Sequence, residues 1–286
     1  MNVLNRETLL RRAGKLWLVI ALLFILFGGS CIAKKISLVP EKPTQGIGST
    51  MVSEKDGMVL DYVPTGEFPM GSNNGTDDEK PVHKVYLDAF WIDQTEVTNA
   101  MYAKCVAESD TCSPPSAIRS EKRDSYYGNS EFDNYPVVYV SWDQANAYCS
   151  WAERRLPTEA EWEKAARGTD GRTYPWGNES PAADLLNYNA NVGDTTESGK
   201  YPDGLSIYYA YDMAGNVWEW VNDWYSETYY KSSPASNPMG ADTDVFRVYR
   251  GGSWNGNDSS VRSAYRYGSG PSGTSDELGF RCARSP

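Results

Sequence analysis

Residues 246–283, FRVYRGGSWNGNDSSVRSAYRYGSGPSGTSDELGFRCA, constrain the fold of this chain more than any other stretch. Arg250-Gly251-Gly252-Ser253-Trp254 sets two glycines side by side, so backbone there can pass close to another group, with a hydroxyl and an indole next to it. Leu278-Gly279-Phe280-Arg281-Cys282 reads as a short apolar strand ending in a thiol. The whole chain has the same character. Its 10 Trp, 20 Tyr, 25 Gly and 16 Pro describe a loop-rich fold held by aromatic packing rather than a helical bundle.

The 286 residues suffice for one large domain with an N-terminal extension. The net charge of −11 argues against nucleic acid as a partner, since a basic face supplies most of that affinity. It suits Ca²⁺ or a cationic partner, and it also suits plain solubility. The single histidine, His83, rules out a multi-His zinc site. It lies in a loosely alternating segment, Lys80 to Tyr86, which points to a structural or surface role.

Arg6, Arg11, Arg12 and Lys15 precede an unbroken apolar run from Leu16 to Phe27, followed by Gly28-Gly29-Ser30-Cys31. Residues 1–31 therefore read as a signal peptide or membrane anchor, with residues 1–15 inside. The small residues before Cys31 resemble a bacterial lipobox, which makes Cys31 a lipidation candidate. An uncleaved anchor comes second and full secretion third. Each alternative exports the rest of the chain to a bacterial cell envelope or beyond, where disulfides persist. Residues 32–57 carry Pro, Gly, Ser and Lys without a period and are expected to be a tether.

Along the exported part, Phe68-Pro69-Met70-Gly71-Ser72 follows a short strand, and Val82 to Asp93 reads as strand. Thr98 caps a helix from Asn99 to about Ala107. Cys105 and Cys112 are expected to pair, the alternative being a reactive dithiol. Tyr135 to Val140 is expected to be strand. Ser141-Trp142-Asp143-Gln144 is a capping box that opens a helix to about Arg154, and Leu156-Pro157 stops it. A second capping box, Thr158-Glu159-Ala160-Glu161, opens a helix that turns Trp162 and Ala166 inward and ends at Gly168.

FPMGS, DAFWIDQTEVTN, AYCSWAERRLPTEAEWEKAARG, YPWGN and YDMAGNVWEW, with the Gly-Gly-Ser and GFRC stretches after them, resemble the formylglycine-generating enzyme family in order and spacing. That family is also called the sulfatase-modifying-factor domain, and its enzymes oxidise a sulfatase cysteine to formylglycine. The resemblance covers about Met58 to Ala283 and places the domain at 58–286. It implies an α+β fold, compact and loop-rich, related to C-type lectins and low in regular secondary structure. It also implies Ca²⁺ at two places, one formed by Asp212, Gly215, Val217 and Glu219, the other by Asn187, Tyr188 and Asn191. Carboxylate, amide and carbonyl oxygens are the donors that Ca²⁺ takes. Finally, it implies a disulfide between Cys149 and Cys282.

The chain departs from the family at one decisive point. Enzymes of the family bind Cu(I) through two cysteines that follow the Gly-Gly-Ser. Here residues 254–262 contain no cysteine. Gly256 stands at the first position, and Asp258 or Val261 at the second. The Asn, Asp and Ser oxygens of this segment are hard donors that do not suit Cu(I), which selects sulfur, so copper is not expected. Ser253, Trp254, Arg262, Tyr265 and Arg266 lie where the family has its substrate cleft, the two arginines as partners for a carboxylate or peptide carbonyl. The bland alternative is that these residues pack the loop and pair with acids. The leading expectation is an envelope-anchored, calcium-stabilised binding domain for a peptide, protein or glycan, reaching the membrane through its N-terminus. The alternative is an oxidase that works without the cysteine pair, or another enzyme on the same scaffold.

Overall fold

The computed structural model describes residues 45–286. The expected signal or anchor, Cys31, and residues 32–44 of the expected tether lie outside the described residues. Among the described residues, ten short strands and three α-helices are joined by long, well-bonded loops. Strands β1 (Thr50–Val52), β2 (Val59–Val63), β5 (Phe90–Asp93) and β10 (Ala283–Arg284) form one antiparallel sheet in the order β1-β2-β5-β10. Strands β3 (Gly66–Met70) and β4 (His83–Leu87) form a hairpin-like pair. The third sheet takes the order β8-β7-β6-β9, from β6 (Trp218–Trp224), β7 (Arg247–Arg250), β8 (Arg266–Ser269) and β9 (Leu278–Phe280). In it β9 runs parallel to β6.

The tether expected to end at residue 57 is shorter than that. Strand β1 pairs with β2, and Asp56 is buried, accepting a bond from Tyr148 Oη at 2.6 Å and pairing with Arg154. These contacts draw residues 50–57 into the domain. The segment read as one strand from Val82 to Asp93 breaks at Asp88-Ala89, and its halves join different sheets. Tyr135 to Val140 is not a strand. Pro136 has no N–H to give a ladder, and Tyr139 adopts φ 58°. Val137 and Val140 are instead buried as an apolar plug, with Val137 N–H bonded to Val97 O.

The three helices begin where their caps predict. Thr98 opens α1 (Asn99–Glu108), and Ser141 with Gln144 opens α2 (Trp142–Trp151). Thr158 with Glu161 opens α3 (Glu159–Arg167), and Gly168 closes it at φ +72°. Helix α2 stops at Trp151, short of the expected Arg154. Cys105 pairs with Cys112 and Cys149 with Cys282. The second bond ties α2 to the chain end across 133 residues. Two disulfides suit an exported domain, since cytosolic thiols are kept reduced. Among the described residues no helix is long and apolar enough to cross a membrane.

Every residue of α3 is buried, although five of its nine are charged. An ordinary surface helix buries one stripe. This one is possible because its charges are partnered: Arg250 of β7 meets Glu159 and Glu163, Arg266 of β8 meets Glu159, Arg155 meets Glu161, and Lys164 donates to the carbonyls of Pro64 and Gly66.

Candidate functional site

The Gly-Gly pair contacts the chain's own later turn. At Gly252, with φ +76°, a Cβ would lie 2.7 Å from Val261 Cγ1 and 3.0 Å from Ser260 O. Gly251 packs likewise against the Trp162 ring. Only glycine allows this approach in that backbone region. The turn beyond is folded tightly onto itself. Ser253 is buried and donates to Glu277 Oε2 at 2.5 Å, and Asn255 Nδ2 reaches Glu277 Oε1 at 3.3 Å. Trp254 is buried and donates from its indole to Asp276 O.

Of the positions expected to stand where the family has its cysteines, Gly256 and Val261 are closely packed. A Cβ on Gly256 would stand 2.6 Å from Ser260 Oγ and 3.1 Å from Ser253 N. Val261 is fully buried in an apolar cluster with Leu186, Ala214 and Tyr174. Asp258 is exposed on the rim. All four cysteines of the described residues are in disulfides.

Arg262 and Arg266 take the bland alternative: neither is a free guanidinium in a cleft. Arg262 grips Glu79 with two bonds, at 2.8 and 2.6 Å. Arg266 grips Glu159 at 2.8 and 2.7 Å and is 1 % exposed. Arg250 adds bonds to Glu159 and Glu163 at 2.9 and 2.6 Å. Burial opposes ionisation of Glu159, but Arg266 and Arg250 outweigh it and hold the carboxyl below its usual range. A bidentate guanidinium already occupied by a buried carboxylate has no second fork for a ligand. Arg250 and Arg266 bolt the terminal segment onto α3, and Arg262 fastens it to Glu79.

An aromatic surface remains accessible. The Tyr249 ring lies 5.1 Å from Trp218 and 5.6 Å from Tyr267, and Tyr265 lies 6.0 Å from Trp218. Tyr249 and Tyr267 are direct cross-strand partners on β7 and β8, so their rings share one face while Arg250 and Arg266 occupy the other. Tyr267 is 51 % exposed, and Trp218, Tyr249 and Tyr265 are half-buried. Burial pushes the Tyr249 phenol up, and its neighbours Tyr267, Tyr265 and Glu277 add to that. Of the residues expected in the cleft, the structure leaves Tyr265 on this surface and turns Ser253 and Trp254 inward to support it.

The oxygen-rich cluster lies deeper. Asp212 is buried and accepts the Gly199 N–H at 2.6 Å, and burial raises its carboxyl to about 6. Glu96 is fully buried, and burial followed by the nearby Asp212 charge pushes it well above the usual carboxylate range. Its Oε1 accepts Asn216 Nδ2 at 2.8 Å, while its Oε2 has no donor. Glu219 is committed elsewhere. Both of its oxygens accept bonds from Arg281 at 2.7 Å, and the Trp162 indole donates to it at 2.7 Å. Asn187 joins this cluster, because its carbonyl accepts the Asn216 N–H at 2.8 Å and its buried Oδ1 has no partner. Tyr188 and Asn191 do not. Tyr188 Oη donates to Pro181 O, and Asn191 is exposed and bonded to Val192 N–H.

The unpartnered oxygens of Glu96, which acts on Asp212, and of Asn187, which meets Asn216, are hard donors of the kind Ca²⁺ takes. Glu219, already neutralised by Arg281, does not fit that role. Among the described residues no three His, Cys, Asp or Glu side chains converge as a metal-binding group. A Ca²⁺ at Asp212 would therefore depend on amide and carbonyl oxygens, those of Gly215 and Val217 included.

Glu79, Glu96, Glu159 and Glu163 went unrecognised at the sequence level as structural partners. The available signal was a set of arginines, 250, 262, 266 and 281, in segments whose neighbours are apolar. Buried bases require buried acids.

A family model described as sulfatase-modifying factor enzyme 1-like domain matches residues 45–286. A formylglycine-generating enzyme of Streptomyces coelicolor is 37 % identical over 277 residues, covering 77 % of this chain and 87 % of that protein. An inactive C-alpha-formylglycine-generating enzyme 2 of Mus musculus is 34 % identical over 277 residues, covering 78 % of this chain and 85 % of that protein. The serine/threonine-protein kinase Pkn1 of Chlamydia trachomatis is 37 % identical over 235 residues, which cover 78 % of this chain but only 38 % of the kinase. Among solved structures, PvdO from Pseudomonas aeruginosa superposes with TM-score 0.72 at 26 % identity, covering 85 % of this chain and all of that one.

Proposed function

This chain belongs to the sulfatase-modifying-factor family, and we propose that it is a non-oxidase member, an envelope-anchored binding domain for a peptide, protein or glycan. The observation that carries this reading is the packing at Gly256, where Ser260 Oγ fills the space a side chain would need. Val261 supports it, since it lies in an apolar cluster, and Asp258, the other candidate second position, is an exposed carboxylate that offers no soft donor. The similarity to a mouse relative named inactive is consistent with it. The aromatic surface of Trp218, Tyr249, Tyr265 and Tyr267 is the contact face in this reading. Aromatic rings offer large, rigid contact area at low entropic cost. Anchoring would come from residues 1–31, through lipidation of Cys31 or an uncleaved span. Ca²⁺ at Asp212 with Gly215, Val217 and the oxygens of Glu96 or Asn187 would act on stability and take no part in ligand chemistry.

The 37 % identity to the Streptomyces coelicolor enzyme favours a second reading, formylglycine formation without the usual cysteines. One assay separates the two. The full chain is incubated with a Cys-X-Pro-X-Arg peptide, Cu(I), oxygen and a thiol reductant, and mass spectrometry follows loss of thiol and gain of aldehyde. No conversion beside a working control enzyme is the expected result. Conversion that survives repurification would overturn the binding reading.

A further inference from the structure

We propose that the groove between strand β1, strand β2 and the 205–211 loop binds a primary ammonium group, with Asp61 as its anionic partner and Tyr209 as its aromatic wall. The site is separate from the aromatic surface above and does not rest on the function assigned to it.

The groove holds about 310 Å³ and is lined by Thr50, Asp61, Gln94, Leu205, Tyr209 and Tyr211. Asp61 lies in β2, an inner strand of its sheet, and is 1 % exposed. Its Oδ1 accepts Gln94 Nε2 at 3.2 Å, and its Oδ2 is buried with no donor. A desolvated carboxylate without a counter-charge is an unfavourable occupant of an inner strand. Burial raises its carboxyl to about 6, and Arg281 only partly opposes that. The Arg281 guanidinium is already taken up by Glu219 and by the carbonyls of Asp93, Gln94 and Tyr211.

The wall is built as firmly as the floor. Tyr209 holds φ 72°, a backbone region that bulky residues avoid, and its side chain is 50 % exposed. Its strain is sustained by a small bonded turn. Tyr209 N–H donates to Ser206 O, Ser206 N–H donates to Ala210 O, and Ser206 Oγ accepts the N–H groups of Tyr208 and Ala210. Strain of this kind persists only where surrounding structure enforces it, and it concentrates at ligand sites. Gln94 is fixed as well, since its carbonyl accepts the Tyr211 N–H at 2.8 Å. An ammonium group supplies what this arrangement lacks. It brings a positive charge and donors for Asp61, and it is attracted to the face of a tyrosine ring. Water supplies the donor but not the charge.

The test titrates the full chain with n-butylammonium, Nα-acetyl-lysine methylamide and the neutral isostere n-butanol, by ligand-observed saturation-transfer NMR at pH 7.5. Saturable binding of an amine without butanol binding is the expected result. Binding of both amines marks a general ammonium site, and binding of the lysine amide alone marks a side chain of a peptide. Asp61→Asn should weaken the amine at least about tenfold, the scale of a lost hydrogen bond to a charged group. Tyr209→Gly, which also relieves the positive φ, should weaken it about threefold. Asp61→Asn is close in shape and removes an unpaired buried charge, so it should melt no lower than the parent; lost binding then reports the site and not the fold. Equal binding by Asp61→Asn, equal binding of butanol, or no saturable amine binding would each overturn the proposal, the last leaving Oδ2 a partner for buried water only.

Discussion

Glu219 illustrates how a residue's role depends on the group opposite it. In the sequence it is a carboxylate at calcium-ligand spacing. In the fold Arg281 grips both of its oxygens in a pair with no solvent contact. Removing one partner of such a pair leaves the other charge buried and uncompensated. Glu219→Gln should therefore lower the unfolding free energy by about 3–5 kcal/mol in calcium and in EDTA alike, measured by urea denaturation in both buffers. Asp212→Asn should lower stability in the calcium buffer relative to its effect in EDTA, where losing a buried carboxylate charge beside Glu96 offsets the cost. A Glu219→Gln effect confined to calcium would return Glu219 to the ligand set. The same dependence on the opposite group decided Arg262 and Arg266, which read as ligand-facing cations until Glu79 and Glu159 were found in contact with them.

Helix starts were legible because capping is local chemistry. Thr98, Ser141 and Thr158 each accept an N–H three residues on, and the Gln144 and Glu161 carboxamide and carboxylate bond back. Strands were less legible, since they depend on partners far away in sequence. Tyr135 to Val140 has strand composition, yet β9 runs beside it with no ladder between them. Contact there is steric, through Gly279, where a Cβ would stand 2.7 Å from Val137 O and 3.1 Å from Val217 Cγ2. Gly279→Ala should force these segments apart and lower stability by about 1–3 kcal/mol. Gly270→Ala, with nothing within 4 Å of its Cβ position, should leave the melting temperature nearly unchanged. Equal effects would show that β9 packing is not limiting.

At the scale of the whole molecule the chain end is fastened back onto the middle. Cys282 bonds Cys149, Ala283 pairs with Ile92 and bridges to Arg155, and Arg281 reaches Glu219. Replacing Cys149 and Cys282 by alanine together should lower the unfolding free energy by about 5 kcal/mol, because a 133-residue loop is released in the unfolded chain. Urea denaturation checks the size, and peptide mapping without reductant should recover the linked pair from the parent. The sequence alone determined the loop-rich α+β class, the helix starts, the family and the absence of cysteine from residues 254–262, because caps, motif spacing and residue identity are local properties. Only the tertiary structure decided which charges are free. Ion pairing and burial join residues as far apart as Glu79 and Arg262 or Glu159 and Arg266, and the sequence around either partner carries no record of the other.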